Sequence, residues 1–128
     1  TVGAASEGVL AKGKAIAFSC TYNNFSEIEK WFDKIMNFIL ENKLLDKGDL
    51  FNVNVPLNAK GIKITHQGET NFETNFALED SLVWQRGKPN FDKDVSGTSD
   101  VNAIYNNYIS ISPLTVNRTD LTIYELIK

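Results

Sequence analysis

Apolar residues recur at Ile28, Trp31, Phe32, Ile35, Met36 and Ile39, the three-and-four spacing of one helix face, in the most strongly periodic stretch of the chain. Such a stripe reads as core. Ser26 followed three residues later by Glu29 predicts a capping box at the start of this helix, with Phe25 as a hydrophobic staple. The period fades near Lys43, and Gly48 turns the chain. Upstream, residues 1–12 read as a second helix. Small residues at Gly3, Ala4, Ala5 and Ser6 would let it approach a sheet closely, Val9 and Leu10 would anchor it, and Gly13 would take the left-handed position that ends it. Ala15, Ile16, Ala17 and Phe18 then form an apolar run without alternation, the pattern of a strand covered on both faces. A helix leading into a buried strand predicts an α/β sheet.

Residues 50–55 alternate apolar and polar and stop at Pro56, which predicts a strand near the end of the sheet. Asn52 and Asn54 share one face of it, and bonding to neighbouring loop backbone is their expected role. From Gly61 the pattern shortens to strands at 62–66, 71–78 and 82–85, punctuated by Gly68, Asp80 and Gly87, which predicts a β-hairpin region projecting from the α/β body. Trp84 with Phe72, Phe76 and Phe91 is expected to pack within the hairpin. Ser99 or Asp100 can cap a short helix through Asn106, a last strand follows at 108–111, and Pro113 closes it. Thr119 or Asp120 then caps residues 121–128, a helix too short to be stable alone and so expected to dock, for instance on a neighbouring subunit. The chain thus divides into residues 1–60, part of an α/β core, and 61–128, a hairpin region, acidic loop and C-terminal arm, within one domain.

A chain of 128 residues, 42% hydrophobic and 23% charged, suffices for one globular core. Its net charge of -3 offers no footprint for nucleic acid. No apolar stretch approaches the roughly 20 residues that span a bilayer, so the expectation is a soluble, cytoplasmic protein with no membrane partner. The single cysteine, Cys20, excludes an intrachain disulfide and a cysteine-held zinc, and reads as a small buried hydrophobe. The single histidine, His66, reads as structural or solvated. Asp92, Asp94, Ser96, Gly97 and Asp100 follow a calcium-loop spacing, but the position that needs a bidentate Glu is Ala103, which favours an acidic solvated loop. A helix that opens Thr1-Val2-Gly3 presents unpaired N–H groups and the positive end of its dipole, which favours an anion such as phosphate.

Thr-Val-Gly-Ala-Ala-x-Glu-Gly at the start, then Gly-x-x-Ala-Ile-Ala-x-Ser, resembles a motif of the SurE survival-protein family. Three later stretches agree in order: Asn52-Val53-Asn54-Val55-Pro56, Ile64-Thr65-His66-Gln67-Gly68, and Ser99-Asp100 followed by Tyr108 to Leu114. Ser99, Asn107 and Ser112 depart from the residues usual there. The resemblance implies a three-layer, Rossmann-type α/β sheet of which this chain supplies the C-terminal half, because Thr1 falls inside a motif. It also implies a phosphomonoesterase acting on nucleoside monophosphates with Mg²⁺ or Mn²⁺, the metal ligands lying upstream of Thr1 and no metal ligand or catalytic residue in this chain. Thr1 and Val2 would lie beside the substrate phosphate, Ser99 and Asp100 at the mouth of the site, and the assembly would be a homodimer or homotetramer. The alternative is a non-enzymatic binding or assembly module that keeps the scaffold without the metal site.

Overall fold

The computed structural model describes residues 1–21, 24–69, 72–89 and 97–128. Its elements are α1 (Val2–Leu10), β1 (Ala15–Cys20), α2 (Phe25–Glu41), α3 (Leu44–Lys47), β2 (Leu50–Val55), β3 (Ile62–Ile64), β4 (Phe72–Glu79), β5 (Leu82–Pro89), α4 (Asp100–Tyr105), β6 (Ile109–Leu114) and α5 (Leu121–Ile127). Four strands form one mixed sheet in the order β1-β2-β6-β3. β1 runs parallel to β2 with Ala15 opposite Leu50, β6 is antiparallel to β2, and β3 is parallel to β6. β4 and β5 make a separate antiparallel hairpin, closed by Asp80 and Ser81 at φ 48° and 66°. Positive φ at both turn residues matches the right-handed twist of the strands, so Asp80-Ser81 does what Asn-Gly more often does.

Register decides which side chains meet. Ile16, Phe18, Phe51, Val53, Ile109, Ile111 and Ile62 fall on one face of the sheet. The apolar stripe of α2 lies on that face, and Ile35, Ile39, Val53, Ile109 and Ile111 are sealed from solvent. Each such side chain contributes about 1.5–3 kcal/mol. On the opposite face, α1 rests near Ala15: a Cβ at Gly8 would lie 3.9 Å from that of Ala15. Helices therefore flank the sheet on both sides, which is the three-layer α/β arrangement.

Several local expectations change. α2 begins at Phe25 with Asn24 at its N-cap, because the Glu27 N–H already donates to the Asn24 carbonyl at 3.2 Å. Ser26 is therefore inside the helix, no capping box forms, and Phe25, 74% exposed, staples nothing. At the end of α1, Lys12 rather than Gly13 is left-handed, with φ 69°. Lys12 N–H bonds Val9 O at 2.9 Å and Gly13 N–H bonds Gly8 O at 3.0 Å, the paired bonds of a Schellman motif in which Gly13 is one position beyond the left-handed residue. A Cβ at Gly13 would sit 3.0 Å from Gly8 O, so the glycine serves close approach. Leu10 is exposed and anchors nothing. β1 is covered less than its apolar run predicts: only Ala17 is buried, because β1 is the outer strand of the sheet. β2 lies between β1 and β6 rather than at the sheet's end, since Pro56 comes after its last paired residue. β6 continues through Pro113, which faces Phe51.

Candidate functional site

α1 packs on β1 and β2 with Gly8, near its carboxyl end, against Ala15 at the start of β1, so its amino terminus is directed toward the carboxyl ends of those strands. Thr1 is the N-cap and is exposed, Val2 is half-buried, and the Thr1 side chain makes no capping bond. The first N–H groups of α1 therefore lack intrahelical acceptors, and no acidic residue in the first turn opposes the dipole. At the tips of the same two strands, Ser19, Cys20, Thr21, Asn54, Val55 and Ile104 line a pocket of ≈ 180 Å³. The carboxyl end of parallel strands is where open α/β sheets bind ligands. From sequence alone Asn54 is expected to bond loop backbone and Cys20 to be a small buried hydrophobe. Cys20 is in fact a half-buried free thiol on the pocket wall.

Ser99 and Asp100 are brought together with His66 and Gly68, beyond the β6 side of the sheet, whereas α1 packs on β1 and β2. Ser99 is buried and caps α4, its Oγ accepting from Asn102 N–H at 3.0 Å. The Asp100 carboxylate accepts from Gly68 N–H at 2.7 Å and Val101 N–H at 2.8 Å, and its own N–H donates to His66 O at 2.9 Å. The exposed His66 ring is held between Gln67 O at 3.0 Å and Thr98 Oγ1 at 3.1 Å. These bonds clamp the segment after β3 against the start of α4. Thr1 and Val2 start α1, which packs on β1 and β2, whereas Ser99 and Asp100 start α4, which packs on β6 and β2.

The sheet face that carries Asn52 and Asn54 also carries Ser110 and Ser112. Thr65 Oγ1 lies 2.8 Å from Ser110 Oγ and 2.7 Å from Ser112 Oγ, and all three residues are buried. Polar groups buried this deeply persist because they bond one another. Asn52 sits opposite Ala17 and Ser112, and its Oδ1 is buried with no hydrogen-bond partner among the described residues. The expected loop-backbone bond from Asn52 is not made.

The model of the survival protein SurE family matches residues 1–74, more than half of the chain. The chain belongs to the SurE family. The 5'-nucleotidase SurE of Natranaerobius thermophilus is 32% identical over 137 aligned positions that cover 97% of this chain and 52% of that protein. The 5'/3'-nucleotidase SurE of Wigglesworthia glossinidia brevipalpis is 36% identical, covering 94% and 51%. The crystal structure of the SurE protein from Aquifex aeolicus superimposes with a TM-score of 0.78 at 28% identity, covering all of this chain and 56% of that one. This SurE chain thus spans about half the length of the curated relatives it matches.

Among the described residues of this SurE chain, no three His, Cys, Asp or Glu side chains come together in a way that could hold a metal ion. Residues 92–96 of the calcium-like spacing lie outside the described residues. Asp100, its last acidic position, is engaged with Gly68 and Val101. In the hairpin, Trp84 pairs with Ala77 and Phe76 with Gln85, so the two rings project from opposite faces and do not pack on each other. Both are exposed. Phe91 and the Phe72 side chain lie outside what is described. Among the described residues no helix is long and apolar enough to cross a membrane.

Proposed function

We propose that this chain is the C-terminal portion of a SurE phosphomonoesterase that hydrolyses nucleoside monophosphates to nucleoside and phosphate. The observation that carries the reading is its similarity, along nearly its whole length, to proteins named 5'-nucleotidase and 5'/3'-nucleotidase SurE. In this reading the α1 amino terminus, at Thr1 and Val2, binds the substrate phosphate. Its fixed N–H groups meet phosphoryl oxygens, and the unopposed dipole favours the charge that develops there. The Thr1 hydroxyl, uncommitted to a cap, is a further donor. The divalent ion, Mg²⁺ or Mn²⁺, belongs to residues outside those described. The exposed apolar faces of the hairpin and of α5 serve a homodimer or homotetramer, and the protein works in the cytoplasm. The test is phosphate release from a nucleoside monophosphate by the full-length protein supplied with Mn²⁺ or Mg²⁺. Metal-dependent release is expected. A folded, metal-replete protein that releases none would leave the assembly-module reading in its place.

A further inference from the structure

We infer that the pocket at the tips of β1 and β2 seats the ribose of the nucleotide, with Ser19 and Asn54 hydrogen-bonding its vicinal hydroxyls. The inference rests on the nucleotidase reading. Ser19 and Asn54 are register partners across the parallel pair, so a hydroxyl and a carboxamide stand side by side on one face. Together they offer donors and acceptors, which is what a cis-diol requires. Both residues are half-buried, and neither side chain makes a hydrogen bond among the described residues, so this capacity is uncommitted. The rest of the wall is Cys20, Val55 and Ile104, apolar surface suited to the C–H edge of a sugar, with the Thr21 hydroxyl at the rim.

Among the described residues no charged side chain lines the pocket, so a phosphate finds no counter-charge from them there. Its ≈ 180 Å³ is below the roughly 300–1,000 Å³ of sites that enclose a whole ligand, and fits one ring of a larger molecule. With Gly8 against Ala15 at the start of β1, the α1 amino terminus is directed to the same end of the sheet. A sugar bonded directly to a phosphate held there is the ring that arrives first.

The experiment compares kcat/KM for AMP and for 2',3'-dideoxy-AMP in the full-length protein. With two neutral hydrogen bonds at stake, the unmodified protein should prefer AMP by roughly tenfold or more. Ser19→Ala and Asn54→Ala should each pull the ratio toward one, chiefly through KM, while Ser19→Thr, which keeps the hydroxyl, retains it. Thermal melting of each variant separates a lost contact from a lost fold. An unmodified protein that hydrolyses both substrates equally overturns the ribose assignment and leaves the nucleotidase reading standing, as do folded alanine variants with an unchanged ratio. No hydrolysis of AMP by the unmodified protein overturns both.

Discussion

Two residues show how far local backbone demands decide what this chain tolerates. Lys12 holds φ 69° at the end of α1, a conformation that costs an L-residue about 1–2 kcal/mol and glycine almost nothing. Lys12→Gly keeps both Schellman bonds and removes that strain, at the expense of a more flexible unfolded chain. A net gain of about 0.5–1 kcal/mol is expected, read as a higher midpoint in urea. A lower midpoint would mean that the lysine side chain contributes more than its backbone costs. Gly68 is the opposite case. A Cβ there would stand 3.0 Å from Ser99 Cβ and 3.1 Å from both Ser99 Oγ and Asp100 Oδ1, the atoms that cap α4 and clamp the loop. Gly68→Ala must push the clamp apart, and a loss of about 1–3 kcal/mol is expected in the same measurement. Unchanged stability would show that the segment after β3 shifts freely.

At the scale of elements, the chain is most legible where burial and periodicity agree. The stripe on α2 identified the side chains that seal the core, since Ile35 and Ile39 are both fully buried. The strand at 50–55 carried its own alternation, and Ser99 lay before α4 as a good cap should. What stayed illegible is what a neighbouring element decides. The start of α2 depends on a backbone bond at Asn24 that beats the capping box formally spelled by Ser26 and Glu29. The position of β2 inside the sheet depends on β6, which arrives more than fifty residues later and whose pairing with β2 no local pattern announces. The pocket escaped for the same reason: Ser19 and Asn54 are distant in sequence and meet only through strand register. The revised helix start is testable by contrast. Ile35→Ala should cost about 2–5 kcal/mol, because a sealed site cannot collapse around the cavity. Phe25→Ala should stay within about 0.5 kcal/mol, because the ring is largely in solvent. A large loss at Phe25 would restore it as a staple.

For the molecule as a whole, the unusual feature is how much apolar surface has no cover. The outer edge of β1 is unpaired among the described residues. The hairpin exposes Phe76, Leu78 and Val83 on one face and Leu82 and Trp84 on the other, with Arg86 and Glu79 joined in a two-pronged ion pair beside the latter. A two-stranded sheet with both faces wet is marginal in water. α5 adds Leu121, Ile123, Tyr124, Leu126 and Ile127, all exposed, on a helix capped by Asp120 but packed on little. Surfaces of this kind are covered in use or else drive association. The 128-residue chain on its own should therefore self-associate with rising concentration, seen as a growing weight-average mass in sedimentation equilibrium. Leu78→Lys and Trp84→Lys each place a charge on a different hairpin face, so the variant that lowers the mass tells which face is buried. If neither does while removal of residues 121–128 does, the contact belongs to α5. A chain that stays monomeric at every concentration would mean that these faces are tolerated in water, and the oligomer would lose its physical support.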